Sequence, residues 1–222
     1  MTASDFPFDA VLFDMDGSLV ETESIWFQAE RDVVAELGGE WLPEHQEQFV
    51  GGPLDGMITH MIELTGTPEA ADAVLDLVLT RMVALLTEGP VRWMPGAREL
   101  VIALRELGVP LVLVSASLRP MVDAVLAHVD RDGVAISISG DEVDNSKPHP
   151  EPYLRAAALV GASPQRCLAV EDSPTGVASA HAAGCTVLAV PSLRPIEARD
   201  GVHVMRTLDG VTPDDLAVLA ST

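Results

Sequence analysis

Basic residues are scarce in this chain. Only 13 Lys and Arg stand against 34 Asp and Glu in 222 residues, a formal net charge of −21. A nucleic-acid binder needs clustered cations to release phosphate counterions, so that class is excluded. An anionic membrane surface is excluded on the same ground. The charge also repels an anionic small molecule, so any phosphate site must carry its own local positive charge. Cysteine is nearly absent. Cys167 and Cys185 are the whole complement, each beside an apolar run and neither in a CxxC pair, which reads as two reduced core thiols and not a disulfide or metal site. No stretch approaches the ~20 uncharged apolar residues of a membrane span. The opening MTASDFPFDAVLFDMDG has no basic segment followed by a long apolar one, so no secretory leader is expected. The protein is accordingly expected to be cytoplasmic and monomeric.

Apolar residues make up 48 % and charged residues 21 %, the balance of a soluble globular chain. The length suits one sizeable domain or a core with a smaller insert. Unbroken apolar runs recur at Ala10–Phe13, Pro110–Val114, Val134–Ile138, Cys167–Val170 and Thr186–Val190. Runs of this kind suit a parallel sheet buried on both faces. Helical patterns lie between them at Ala97–Leu107, Arg119–His128, Pro152–Val160 and Pro174–Ala183, with His203–Met205 a further short strand and Pro213–Leu219 a last helix. The alternation predicts right-handed βαβ units, and so an α/β fold with a doubly wound, Rossmann-like parallel sheet. One interval breaks it. Between the first strand and the next βα unit, Glu21–Leu37, Pro43–Val50, Leu54–Leu64 and Pro68–Leu86 all read as helices, punctuated by Gly38-Gly39, Gly51-Gly52 and Thr65-Gly66-Thr67. We therefore expect a core of residues 1–20 and 92–222 carrying a small all-helical cap domain over 21–91.

In a doubly wound sheet, function collects at the carboxyl ends of the strands. The first strand ends in Asp14-Met15-Asp16-Gly17, the second in Ser115, the third near Gly140-Asp141-Glu142 with Lys147 soon after, and the fourth in Glu171-Asp172-Ser173. Carboxylates gathered this closely repel one another. A hard divalent cation with oxygen ligands resolves the conflict, and magnesium (Mg2+) suits a site that must keep positions open for water and a phosphate oxygen. Such a cation attracts phosphate where the global field does not, and Lys147 adds a second positive charge. Within Asp14-Met15-Asp16, one carboxylate can attack phosphorus and form an aspartyl-phosphate. The other can protonate the leaving oxygen and then deprotonate the attacking water. Gly17 allows a sharp turn beneath them. Ser173 is expected to cap the helix opened by Pro174.

FDMDGSLVETE, VLVSAS, SKPHPEPY and VEDSPTGVASAHAAG resemble, in this order, the four motifs of the haloacid dehalogenase (HAD) superfamily. Within it they resemble the branch of β-phosphoglucomutases and bacterial sugar-phosphate phosphatases, whose helical cap follows the first motif. The resemblance covers essentially the whole chain. It implies a nucleophile and metal ligand at Asp14, and at Asp16 a general acid/base that binds metal through its main-chain carbonyl. It implies phosphate contacts from Ser115, the amide of Ala116 and Lys147, with Lys147 paired to Asp14. Asp172 would complete the metal shell, with Glu171 a second or water-mediated ligand. The implied activity is a phosphoric monoester hydrolase acting on a small phosphate ester, a sugar phosphate first among classes. A phosphosugar mutase is the alternative. The mutases carry a hinge histidine where this chain has Trp26, and Lys-Asn where it has Leu118-Arg119. A dehalogenase lacks the second aspartate of the first motif, and a phospho-accepting signalling domain has no use for Asp16. Trp26 reads equally as cap-core packing or as a wall of the substrate pocket. Val50–Gly56, with Gly51 and Gly52, reads as a substrate loop. Arg81, Arg92 and Arg119 are candidate anion contacts.

Overall fold

The computed structural model describes residues 5–49, 54–129, 133–134 and 136–221. The elements run β1 (Ala10–Asp14), β2 (Val20–Glu21), α1 (Glu23–Glu36), α2 (Pro43–Phe49), α3 (Leu54–Thr65), α4 (Ala71–Glu88), β3 (Arg92–Trp93) and α5 (Ala97–Glu106). They continue with β4 (Leu111–Val114), α6 (Arg119–Val129), β5 (Ile136–Ile138), α7 (Glu151–Leu159), β6 (Cys167–Glu171), α8 (Pro174–Ala183), β7 (Thr186–Ala189), β8 (Val202–Val204) and α9 (Pro213–Ala217). The chain divides into two compact units, Met1–Glu21 with Val91–Thr222, and Thr22–Pro90.

The first unit is a Rossmann-like α/β domain. Its six-stranded sheet has the order β5-β4-β1-β6-β7-β8, and every neighbouring pair is parallel. The register sets Leu12 opposite both Val112 and Ala169. Alternate side chains leave a strand on opposite faces. Ala10, Leu12, Val112, Val114, Ala169 and Val187 thus share one buried face, closed by Tyr153, Ala156 and Ala157 of α7 and by Val177 and Ala180 of α8. Both cysteines belong to this core and both thiols are free; burial pushes them up to about 11 at Cys167 and about 12 at Cys185, which leaves them protonated and inert. The chain runs outward from β1 to β4 and β5, then crosses back to β6. The order reverses at β1, so the carboxyl ends of β1, β4 and β6 flank the switch point of the sheet. Two details depart from the sequence reading. The third strand begins at Ile136 and not at Val134. β2 and β3 also form a small antiparallel pair, Val20 opposite Trp93 and Glu21 opposite Arg92, which ties together the two chain segments that border the insert.

The second unit is wholly helical, α1 to α4. Val33, Val34, Met57, Ile58, Met61, Val74 and Val78 form its apolar centre around Trp41. Trp41 is 2 % exposed, and its indole N–H donates to Glu30 Oε2 at 2.8 Å. His45 and His60, which have no metal-ligand spacing in the sequence, pack instead in tilted or edge-on contacts: His45 against Trp41 at 5.1 Å, and His60 against Trp41 at 5.8 Å, Phe49 at 5.2 Å and His45 at 5.3 Å. Trp26 packs, half-buried, on this same centre. Gly51 and Gly52, with Val50 and Pro53 of the expected substrate loop, lie outside the described residues.

Candidate active site

β1 is buried along its whole length and delivers Asp14 to the carboxyl edge of the sheet, 6 % exposed. The chain then turns back at once. The amides of Leu19 and Val20 both donate to the Met15 carbonyl, and the Gly17 amide donates to the Val20 carbonyl. Gly17 has φ +83°, and a Cβ there would meet Asp172 Oδ2 at 2.2 Å. Glycine is therefore required twice over: for the left-handed backbone and for the close approach of a carboxylate.

Lys147 arrives from the loop before α7. Its Nζ donates to Asp14 Oδ1 at 2.7 Å, to Glu171 Oε1 at 2.7 Å and to the Val114 carbonyl at 2.9 Å. These three acceptors use its three protons. It also lies 5.1 Å from the centre of the Tyr153 ring, within cation–π range. Burial alone would lower the Lys147 pKa, but the charges of Asp14 and Glu171 outweigh it and hold the ammonium ionised. Glu171 is fully buried at the end of β6. Its Oε1 accepts from Lys147 and the Tyr153 hydroxyl, and its Oε2 from the Asp172 amide and the Ser173 hydroxyl. Both oxygens are thus occupied. Gly176 of α8 is shaped to this group, since a Cβ there would stand 1.9 Å from Glu171 Oε1. Ser173 caps α8, its hydroxyl accepting from the Gly176 amide at 3.0 Å.

Asp14 Oδ2, in contrast, is buried and has no hydrogen-bond partner. Burial first, then the charges of Glu171 and Asp172 against that of Lys147, push the Asp14 carboxyl well above its ordinary value. Burial likewise pushes Asp172 up to about 6, against a hydrogen bond from Ser192. A buried carboxylate oxygen is costly unless something positive meets it. Asp14, Glu171 and Asp172 present oxygens all within 4.8 Å of one another, the hard-donor set that a small divalent cation requires. The residues present therefore fit a bound cation. Asp16 is half-buried beside them. Its Oδ2 accepts from Ser115 Oγ at 3.2 Å and from Ser117 Oγ at 2.9 Å. Ala116, between those serines, is exposed.

The structure thus brings Asp14, Asp16, Ser115, Lys147, Glu171 and Asp172 together at one sheet edge. Asp141 and Glu142 belong elsewhere. They accept from Ser139, Arg119 and the start of α6. Two candidate anion contacts are similarly committed: Arg119 to Glu142, Asp123 and Ser137, and Arg81 to Asp32 and Glu36 inside the helical unit. Three contributors escaped the sequence reading. Tyr153 is the chain's single tyrosine and lies in the Lys147 motif, which is a readable signal. Ser117 stands two residues after Ser115, also within its motif. Ser192 follows β7 in a segment with no distinguishing pattern.

Residues 8–184 match the family described as haloacid dehalogenase-like hydrolase. The protein CbbY of Rhodobacter capsulatus is 36 % identical over 194 residues, covering 82 % of this chain and 85 % of that protein. Hexitol phosphatase B of Escherichia coli K12 is 34 % identical over 187 residues, covering 82 % and 83 %. Among solved structures, CbbY from Rhodobacter sphaeroides in complex with phosphate superimposes with a TM-score of 0.80 at 25 % identity, over 94 % of this chain and 99 % of that one.

Proposed function

The chain belongs to the haloacid dehalogenase-like hydrolases, and from that premise we propose that it is a magnesium-dependent phosphatase of a small phosphate ester, a sugar phosphate by class, working through an aspartyl-phosphate on Asp14. The observation that carries the reading is the asymmetry of Asp14. One oxygen is tied to Lys147 and the other is buried without a partner. A carboxylate fixed at one oxygen and bare at the other is a positioned nucleophile. The names of two relatives support the substrate class, since one is a hexitol phosphatase and a second was solved with phosphate bound.

In this mechanism the Asp14 carboxylate attacks phosphorus and the ester oxygen departs with a proton from Asp16. Asp16 then takes a proton from water, which attacks the same phosphorus and frees both Asp14 and inorganic phosphate. Ser115, the Ala116 amide and Lys147 hold phosphate oxygens, which carry extra charge in the transition state. Asp14, Asp172 and the Asp16 carbonyl would hold magnesium, which supplies electrostatic neutralisation of the phosphoryl group. Glu171 anchors Lys147 and would meet the ion as a second ligand or through water. The helical unit is the expected source of selectivity among esters. The test is release of p-nitrophenol from p-nitrophenyl phosphate. Turnover with magnesium, lost to a chelator and restored by excess magnesium, is expected. A folded, magnesium-supplied protein that releases nothing refutes the assignment.

A further inference from the structure

The loop after β4 carries a second hydroxyl that the phosphatase reading does not use. Ser117 is held from both sides. Its amide donates to Ser115 Oγ at 2.9 Å, and its carbonyl accepts from the Gly140 amide at 2.8 Å. Residue 140 must be glycine for that approach, because a Cβ there would stand 2.2 Å from the Ala116 carbonyl oxygen. From this fixed position Ser117 Oγ donates to Asp16 Oδ2 at 2.9 Å, while Ser115 Oγ reaches the same oxygen at 3.2 Å. A hydroxyl has one proton to give. If Ser115 holds a phosphate oxygen, its proton turns to the substrate and leaves Asp16. The Ser117 proton has no such second claim.

We propose that Ser117 is a positioning residue that aims Asp16 for proton transfer to the leaving group, an inference that rests on the phosphatase reading above. Ser117 holds Oδ2 as an acceptor and so fixes the plane of the carboxyl group from which the proton leaves. As the Asp14 oxygen–phosphorus bond forms and the ester bond breaks, the electron pair stays on the leaving oxygen. That oxygen takes the Asp16 proton. Asp16 becomes a carboxylate with Ser117 still bonded to Oδ2, and a hydrogen bond to a charged acceptor is stronger than one to a neutral acid. The contact therefore strengthens along the reaction and favours the transition state over the ground state.

The consequence is a dependence on the leaving group. Phenyl phosphate and p-nitrophenyl phosphate have nearly the same shape, but phenolate needs a proton to depart far more than nitrophenolate does. kcat/KM reports the first phosphoryl transfer whichever later step limits turnover. In Ser117→Ala, the ratio of kcat/KM for phenyl phosphate to that for p-nitrophenyl phosphate should fall by about tenfold or more, the scale of one misaimed general acid. Ser117→Thr should restore the ratio, and Ser117→Val, of the same shape without the hydroxyl, should not. Equal losses on both esters in the Ala and Val variants, with wild type active on both, would overturn the inference and leave the phosphatase reading intact. A wild type inactive on both esters with magnesium present overturns the phosphatase reading, and the inference falls with it.

Discussion

Asp14, the proposed nucleophile, sits in an unfavourable place for a charge. It is buried among Glu171, Asp172 and Asp16, and those charges with burial raise its pKa far above that of a free carboxyl. The group therefore costs folding free energy in order to present a bare oxygen. Asp14→Asn separates the two effects. The amide keeps the shape but has no charge to attack with, and turnover of p-nitrophenyl phosphate should fall by at least about a thousandfold. Lys147 keeps Glu171 and the Val114 carbonyl as partners. Without the repulsion, the melting temperature of the metal-free variant should equal or exceed that of the wild type. A variant that melts lower shows instead that the Asp14–Lys147 bond outweighs the repulsion. The acids of this site were legible because each ends a buried strand and stands in a motif. Tyr153 and Ser117 stand in motifs too, but the partners of these two and of Ser192 were not legible. Their roles depend on which hydroxyl meets which carboxylate across the sheet edge, and no spacing along one strand encodes that.

At the scale of elements, α8 is fitted to the site through a missing side chain. Gly176 lies in its first turn, where a Cβ would overlap the Glu171 carboxylate. Gly176→Ala should displace Glu171, loosen Lys147 and cost about 3 kcal/mol of stability by overpacking, whereas Thr175→Ala, at an exposed neighbour, should cost little. Chemical denaturation of the pair checks this. α1 carries a buried acid of its own, Glu30. Burial, against the Trp41 hydrogen bond and with help from the Glu23 charge, pushes Glu30 up from its ordinary 4.5 to about 7. Between those values the folded state holds a proton that the unfolded chain releases, so stability falls as pH rises. The contribution of Glu30 is complete below pH 4.5 and lost by the time pH passes 7, a change of roughly 3 kcal/mol. Glu30→Gln still offers an oxygen to the Trp41 indole and has no proton to lose. Its advantage over wild type in thermal melts followed by tryptophan fluorescence should grow from pH 5 to pH 8. Parallel curves for the two proteins would rule out Glu30 as the titrating group. Elements of this kind were readable where apolar periodicity dominates, as in the strands and most helices. The β2–β3 pair was not, because two-residue strands have no period and their pairing joins positions 20–21 to 92–93.

For the molecule as a whole, the charge of −21 acts against the very ligand that the site is built to take. A dianionic ester would approach through a repulsive field and would feel Lys147, and a cation held beside it, only near contact. Added salt weakens long-range repulsion far more than short-range attraction in a buried site. The screening length contracts from about 30 Å at 0.01 M to about 8 Å at 0.15 M. Raising the ionic strength over that interval at fixed free magnesium should therefore raise kcat/KM for a dianionic ester by about threefold or more, the lower end of steering effects. kcat should hardly change, because it begins from bound substrate. Enzymes with a basic rim show the opposite sign, losing kcat/KM as salt screens their attraction. If kcat/KM of this protein also falls with salt, then its few cations govern the approach route, and the repulsion implied by composition is cancelled before the ester arrives.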